Sequence, residues 1–251
     1  MPDGTVVRGE FSFAEVGASV PVVVFAHGLG SVRSGEKAVA LETECARRGW
    51  AFAACDFRGH GASDGTMLEL RGSRLLEDLD AITRAATERA AGPLCLFGSS
   101  MGGWAAAWFA AHNPARVAAC AFVAPAFRFL EWNRFNQTEL DEWQRTGRHR
   151  VCNEFIDLEL GSGLLAEASD FQFETLAERF RSPLMIFHGM RDDLVPYTQS
   201  LEFVARCAAT DIELVITKQG DHRLSHDKEK IARAACDFFA TQSKHEPKRR
   251  K

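Results

Sequence analysis

The strongest constraint on the fold is the repeated alternation of short apolar runs with segments of helical periodicity. The runs of strand length are Val22 to Ala26, Trp50 to Cys55, Leu94 to Phe97, Val117 to Val123, Leu184 to His188 and Ile212 to Thr217. Continuous apolar runs are typical of strands buried on both faces, and their alternation with helices favours a parallel sheet. We expect Val6 to Phe13 to add an antiparallel edge hairpin or strand. The sequence therefore predicts an α/β fold with a mostly parallel central sheet flanked by helices.

Three segments between these runs carry signals of helix formation. Glu36 to Arg48 stops at Gly49, a residue type that readily adopts the left-handed conformation at a helix end. In Ser73 to Ala90, apolar residues recur every three or four positions and form one stripe that can be buried. The third segment follows Ser100 and ends before Pro114. We expect all three to be crossover helices between parallel strands.

Length and charge limit the classes of protein. The 251 residues, 46% hydrophobic and 25% charged, suit one globular domain, which we assign to residues 1–243. A formal net charge of -4 gives no general attraction for phosphate, so nucleic acid is not an expected partner. No apolar run is long enough to span a bilayer, so stable membrane insertion is not expected. A small-molecule substrate fits these properties.

The cysteines and the chain ends suggest a compartment. Seven cysteines without a C-x-x-C pair favour reduced thiols over a zinc site or a disulfide framework. The start, Met1 to Gly4, lacks the basic and apolar segments of a secretory signal, so we expect a cytoplasmic location. Residues 244–251 end in four basic residues and are expected to form a disordered tail, although nuclear-import signals have a similar composition.

The alternation of strands and helices stops between residues 126 and 181, where aromatic residues are frequent. A bare loop of this length is improbable in a compact domain, so we expect a short helical cap. Most of the aromatic side chains should pack the cap onto the sheet domain, and one or two could line a pocket. We expect Trp104 and Trp108, on the preceding helix, to belong to the core.

A G-x-S-x-G sequence at Gly98 to Gly102 directly follows one apolar run and precedes a helical segment. This context is typical of a nucleophile elbow, in which the central serine, here Ser100, lies on a strained turn with its hydroxyl exposed. The helix that begins there directs N–H groups and the positive end of its dipole toward the serine. The motif alone also occurs in plain glycine-rich turns, so the interpretation depends on the surrounding elements.

Two later motifs follow strands and contain an acid and a histidine. The sequence H-G-M-R-D-D-L-V-P begins at His188, and G-D-H-R begins at Gly220. Together with the elbow, these motifs resemble the α/β-hydrolase superfamily, whose members often have the sequence H-G-x-x-D-x-x-V-P in place of the motif that begins here at His188. The resemblance covers the chain from Val22 to the final helix. It includes the loop Asp56 to Gly65, and the cap matches nothing specific.

The resemblance implies a role for each matched residue. Ser100 is the expected nucleophile, His222 the general base and Asp192 the carboxylate that orients the histidine. Asp193 and His226 are the alternative acid and base because each lies close to the matched residue in sequence. Since the base must be neutral to accept a proton, activity should rise with pH.

Further residues are expected to support this chemistry through the backbone. The N–H groups of Leu29 and Met101 are predicted to form an oxyanion hole, because the family places a donor loop after the first parallel strand. His27 precedes that loop, and we expect it to brace the turn and not to transfer protons. Residues expected to fix their own loop by hydrogen bonds are Arg58, His60 and Asp64.

The predicted function is a serine carboxylic ester hydrolase, of carboxylesterase type, that forms an acyl-enzyme on small or medium-chain acyl esters. The G-D-H-R sequence and the short cap resemble the branch that contains an acyl-protein thioesterase and many bacterial carboxylesterases. The alternatives are an acyl (palmitoyl) thioesterase or a monoacylglycerol lipase. A non-catalytic ligand-binding module and a cofactor-free C–C hydrolase are weaker hypotheses. No cofactor and no metal are expected, and the oligomeric state is open.

Overall fold

The computed structural model of the protein describes residues 1, 3–12, 20–133 and 135–243. The tail predicted for residues 244–251 lies outside the described residues, as does Phe13 at the end of the predicted first strand. The strands are β1 (Gly9–Ser12), β2 (Val22–Ala26), β3 (Ala51–Cys55), β4 (Leu94–Ser99), β5 (Val117–Val123), β6 (Arg148–Cys152), β7 (Asp157–Gly161), β8 (Leu184–Gly189) and β9 (Ile212–Thr217).

A seven-stranded sheet has the order β1-β3-β2-β4-β5-β8-β9. β1 is antiparallel to β3 at the edge, and the other neighbouring strands are parallel, which confirms the predicted mostly parallel sheet. In the register of the central strands, Ser99 lies opposite Val123, and Val123 lies opposite Phe187. Because the strands are parallel, the loops that follow them meet at one edge of the sheet.

Helices cover both faces of the sheet. They are α1 (Glu36–Arg47), α2 (Gly72–Arg89), α3 (Met101–His112), α4 (Gln137–Thr146), α5 (Gly163–Ala166), α6 (Phe173–Arg179), α7 (Thr198–Arg206) and α8 (Lys228–Gln242). Successive side chains of a strand point to opposite faces, so Val22 packs in the layer of α2 and α3, and Val23 in the layer of α1 and α8. Trp104 and Trp108 are buried, as predicted. Within the described residues, none of the helices combines the length and the apolarity that a bilayer span requires.

The connection between β5 and β8 contains three short helices, α4 to α6, and the antiparallel hairpin of β6 and β7. Helices were predicted for this segment, and the hairpin was not. Its strands, R-H-R-V-C and D-L-E-L-G, are short, largely polar and mostly accessible to solvent, so they lack the apolar run that marks a buried strand. The hairpin is attached to α4 by the indole of Trp143, whose Nε1–H donates to the Leu160 carbonyl at 3.1 Å.

Candidate active site

Ser100 lies in the turn between β4 and α3 with φ 53° and ψ -116°, a left-handed conformation that costs a non-glycine residue about 1–3 kcal/mol. Backbone hydrogen bonds hold the turn in place. The Ser100 N–H donates to the Val123 carbonyl at 2.9 Å, and its own carbonyl accepts from the N–H of Trp104 at 3.1 Å and of Ala126 at 3.2 Å. The strained turn expected from the sequence is therefore present.

Two glycines of the elbow allow close backbone approach. A Cβ atom on Gly98 would lie 2.6 Å from the carbonyl oxygen of Gly102, and one on Gly102 would overlap the carbonyl of Ala26. The obstructing atoms are backbone, so they cannot move away as a flexible side chain would. The N-terminal end of α3 is thus held against β2 and β4 only because both positions lack side chains.

The loops after β8 and β9 carry Asp192 and His222. The two loops are in backbone contact, because the Arg191 N–H donates to the Gly220 carbonyl at 2.9 Å. Their side chains form a continuous series with the serine. The distance from His222 Nδ1 to Asp192 Oδ2 is 2.7 Å, and the distance from His222 Nε2 to Ser100 Oγ is 3.1 Å.

The hydrogen-bond partners assign the His222 tautomer, since a carboxylate can only accept. Nδ1–H therefore donates to Asp192, and Nε2 accepts from the Ser100 hydroxyl. Asp193 is exposed, and His226 lies in the turn Ser225–Asp227, so the described hydrogen bonds leave both alternatives outside the series.

The Asp192 carboxylate is buried and accepts from several donors. Oδ1 accepts from the N–H groups of Leu194 at 3.0 Å and Val195 at 2.8 Å, and Oδ2 accepts from His222 and His188. Burial opposes the charge, but the hydrogen bonds from the two histidines outweigh it and hold the pKa of Asp192 well below its ordinary value. The carboxylate is therefore ionised at neutral pH.

His188 is a contributor that the sequence interpretation missed, because the sequence marks it only as the first residue of the H-G-x-x-D motif. Its ring is fully buried at the end of β8. Nε2 lies 3.2 Å from Asp192 Oδ2 and 2.9 Å from the Val195 carbonyl, while Nδ1 lies 2.8 Å from Ser200 Oγ. These partners make Nε2–H the donor and Nδ1 the acceptor. The available signal was a histidine at a strand end, four residues before the acid.

Two backbone segments lie next to the serine. A Cβ atom on Gly28 would be 3.4 Å from the Cβ of Ser100, so the loop after β2 passes beside Ser100 one position before Leu29. Met101 is the first residue of α3, and the first N–H groups of a helix have no acceptor within the helix. The amides of Leu29 and Met101 are those that the sequence predicts to bind an oxyanion, and that role stays a prediction.

His27 is fully buried beneath this loop. Its Nδ1–H donates to the Gly28 carbonyl at 2.8 Å, and its Nε2 accepts from the Phe57 N–H at 3.0 Å. Burial, together with the nearby ring of His60, lowers the pKa of His27 to about 3. The ring is therefore neutral and braces the turn, which confirms the structural role predicted for it.

The loop after β3 is fixed by the residues predicted to fix it. Arg58 and Asp78 form an ion pair of 2.7 Å, with side chains 4% and 1% exposed. Asp64 accepts from the Val6 N–H at 3.0 Å, and His60 Nδ1 lies 3.4 Å from the Arg58 carbonyl. These contacts lie within the loop or on its supports, in agreement with a structural role.

A cleft of about 680 Å³ opens over Ser100 and His222. It lies between the loops of the large sheet and the cap, which is the connection between β5 and β8. Its apolar lining includes Leu29, Phe129, Trp132, Val151, Ile156 and Leu160. Its polar lining includes Ser31, Glu36, Lys37, Asp193 and Arg223. In the described part of the chain, no group of three or more His, Cys, Asp or Glu side chains is placed to hold a metal ion. The cleft can shield an acyl chain while its reacting carbonyl meets the serine.

The sequence and fold can be compared with those of known proteins. A family model described as serine aminopeptidase, S33, matches residues 17–151 and 134–229. This chain belongs to that family of α/β-hydrolases. Membership in the family makes the protein an α/β-hydrolase.

Individual relatives of this α/β-hydrolase point the same way. Mouse palmitoyl-protein thioesterase ABHD10, mitochondrial, is 30% identical over 221 residues, which cover 85% of this chain and 72% of the relative. The solved structure of mouse alpha/beta hydrolase domain-containing protein 10 superposes with a TM-score of 0.81 at 25% identity, covering 94% of this chain and 95% of that one. Est1E from Butyrivibrio proteoclasticus, solved with ferulic acid bound, has a TM-score of 0.84 at 21% identity over 96% of both chains, which shows the fold alone.

The predicted cytoplasmic location is wrong, because the mouse and bovine relatives are both named as mitochondrial. The prediction rested on the lack of a secretory signal in Met1 to Gly4. The lack of a secretory signal is evidence about the secretory route only, because mitochondrial import recognises amphipathic, arginine-rich segments and not an apolar stretch.

Proposed function

We propose that this α/β-hydrolase cleaves acyl thioesters through an acyl-enzyme formed on Ser100. The observation that carries the proposal is the hydrogen-bonded series from Asp192 through His222 to Ser100, which faces a cleft with apolar walls. The name of the mouse relative, a palmitoyl-protein thioesterase, supports the thioester alternative over the carboxylic ester that the sequence first suggested. The monoacylglycerol lipase alternative has no comparable support.

In the first half of the reaction, the acyl chain lies along the apolar wall with its carbonyl carbon beside Ser100 Oγ. The serine oxygen attacks this carbon while its proton moves to His222 Nε2, and ionised Asp192 stabilises the resulting imidazolium. The carbonyl oxygen becomes an anion that the N–H groups of Leu29 and Met101 bind, each contributing about 3 kcal/mol by analogy with measured oxyanion holes.

Collapse of this intermediate breaks the carbon–sulfur bond. The sulfur takes the proton from His222 and departs as a thiol, leaving the acyl group esterified to Ser100. A water molecule then gives a proton to His222 and attacks the acyl carbon. When the second intermediate collapses, the bond between the acyl carbon and Ser100 Oγ breaks, His222 returns the proton to Oγ, and the carboxylic acid is released.

The site also has the groups that an oxyester needs, so the two substrates differ mainly in the leaving atom. A thiol has a pKa of about 8.5, far below that of an alcohol, and its anion departs with less help from the protonated histidine. We therefore expect a higher rate of acylation for a thioester than for the oxyester with the same acyl group.

Matched pairs of thioesters and oxyesters, from butyryl to palmitoyl, test the proposal. The expected result is a higher kcat/KM for the thioester of each pair. Faster hydrolysis of the oxyester at every chain length would return the assignment to carboxylic esters.

The nucleophile is tested separately with a fluorophosphonate probe. Labelling is expected to disappear in Ser100→Ala and to persist in Ser99→Ala, a matched change at the neighbouring residue. An adduct mapped to Ser99 would contradict the role of Ser100.

A further inference from the structure

The cleft wall contains three cations that differ in their partners. Arg128 is paired with Glu131 at 2.5 Å, and Arg223 lies 3.7 Å from Glu36. Lys37 lines the same cleft, yet its ammonium makes no ion pair with any carboxylate of the described residues. Lys37 is therefore the lining cation in the described structure that lacks a counter-ion.

The charged groups that act on Lys37 are Glu36, Asp221 and Arg223. Both carboxylates are engaged elsewhere. Glu36 Oε1 accepts from the Ser225 hydroxyl and faces Arg223. Asp221 Oδ1 accepts from two backbone N–H groups of the turn that follows it, at 3.1 Å and 2.8 Å. One oxygen of each carboxylate is therefore committed to a partner other than the lysine.

Half-burial makes the missing partner costly, because a charged ammonium loses water that no carboxylate replaces. Burial is the main cause that lowers the pKa of Lys37 to about 8, and the positive charge of Arg223 acts in the same direction. An anion bound beside Lys37 would restore the stabilisation that the protein itself does not supply.

The position of Lys37 indicates which part of a substrate would carry that anion. Arg223 directly follows His222, and the proposed mechanism has His222 protonate the leaving atom. Lys37, Arg223 and His222 all line the cleft, and the charge of Arg223 acts on Lys37, so we expect the leaving group to extend along this part of the wall and the acyl chain along the apolar side chains.

We propose that Lys37 binds an anionic group, a phosphate or a carboxylate, on the leaving group of the substrate. This inference rests on the proposed thioesterase function. It makes Lys37 a residue that determines specificity and has no part in bond breaking. A single ammonium attracts either anion as a point charge, so the distinction between the two sources is left to the experiment.

Three thioesters of one acyl group provide the test: the coenzyme A ester carries phosphates, the thioglycolate ester a carboxylate, and the N-acetylcysteamine ester no charge. In Lys37→Gln, KM should rise about ten-fold for an anionic thioester, the loss expected for one charge-assisted contact. Its kcat, and both constants for the neutral ester, should stay near wild type. Lys37→Arg should restore most of the affinity. Lys218→Gln makes the same charge change at an exposed position outside the cleft lining, and serves as the control.

Binding of free coenzyme A and of free thioglycolate to Ser100→Ala, with and without Lys37→Gln, separates this inference from the proposed function. A wild-type protein that hydrolyses no thioester would refute the function, yet the calorimetric comparison would still decide the role of Lys37. If a thiol binds more weakly once Lys37→Gln is added, the anion of that thiol is identified as a ligand of Lys37. If adding Lys37→Gln changes the affinity for neither thiol, or if KM rises equally for neutral and anionic esters, the inference is overturned.

Discussion

The edge of the sheet where the loops after the parallel strands meet is held in place by different contacts from those of the cap. At the edge, backbone lies against backbone, and glycines at Gly98, Gly102 and Gly189 leave no space for side chains. In the cap, aromatic side chains make the contacts, such as the rings of Trp132 and Trp143 with centroids 4.9 Å apart. Backbone contacts tolerate few substitutions, whereas side-chain contacts can be repacked. The proposed reacting groups thus belong to the constrained region, and the cap side of the cleft belongs to the adaptable one.

The two regions meet beside the predicted oxyanion loop. Gly30 has a φ of 70°, and a Cβ atom there would lie 2.6 Å from the side chain of Ile156. Ile156 belongs to the turn between β6 and β7, so the cap hairpin reaches over the residue that follows Leu29. A change in the cap can therefore alter substrate fit at a short distance from the serine.

The largest effect is expected from the acid at the sheet edge. Asp192→Asn should lower kcat by on the order of 10⁴-fold, because an amide can hold His222 in the wrong tautomer and cannot stabilise an imidazolium. Asp193→Asn is the matched control, and steady-state kinetics on one thioester should show it within a few-fold of wild type. The reverse ranking would transfer the role to Asp193.

A smaller effect is expected from His188, which we propose as a positioning residue for Asp192. His188→Leu removes one donor from the carboxylate, and kcat/KM should fall about 10- to 100-fold, the usual cost of a hydrogen bond to a charge. The low-pH limb of kcat/KM should move to higher pH, because a carboxylate with fewer donors holds the imidazolium proton more strongly.

His188→Gln keeps an N–H donor near the position of Nε2 and should restore much of the rate and the original limb. A purely structural role for His188 predicts lower stability in His188→Leu with no movement of the pH profile, and that outcome would contradict our assignment.

The buried histidine of the edge predicts a pH-dependent stability. Folding lowers the pKa of His27 from 6.5 to about 3, so the unfolded chain binds a proton at a pH where the folded chain does not. Its contribution is complete above pH 6.5 and is lost as the pH falls toward 3, by up to about 1.4 kcal/mol per pH unit. The free energy of unfolding, measured by urea titration at several pH values between these limits, should depend less steeply on pH in His27→Gln than in wild type. His226→Gln, at an exposed position, should leave the slope unchanged.

The smallest effect is expected in the cap. Ile156→Ala shortens the apolar wall by a few methyl and methylene groups, and KM for long acyl chains should rise about five-fold, which corresponds to roughly 1 kcal/mol of lost burial. The short-chain kcat should stay close to wild type. Val215→Ala removes apolar surface outside the cleft lining and should change neither constant. A large loss of kcat on short chains would show that the cap also positions the reacting groups.

The sequence predicts the edge of the sheet well and the cap poorly, for a physical reason. Buried parallel strands such as Val117–Val123 are apolar along their whole length, so they are visible without knowledge of their neighbours. The motifs at Ser100, Asp192 and His222 follow such strands, and the structure brings the three side chains into one hydrogen-bonded series.

The features that escaped prediction depend on contacts distant in the chain. The strand Arg148–Cys152 is polar and half-exposed, and only its partner strand marks it as part of a hairpin. The contacts of His188 are set by Ser200 and by how the loop after β8 folds back. The isolation of Lys37 is visible only when the carboxylate of Glu36 is seen to point elsewhere.

The left-handed backbone at Ser100 places chemistry and folding under opposing selection. Glycine would relieve the strain of about 1–3 kcal/mol at this residue, so an inactive chain could fold more stably than the working one. Selection for activity removes such a substitution, whereas a chain that no longer needs the activity can keep it. In a descendant of this chain that no longer needed the activity, we accordingly expect glycine at the position of Ser100 before any change in the strands of the sheet.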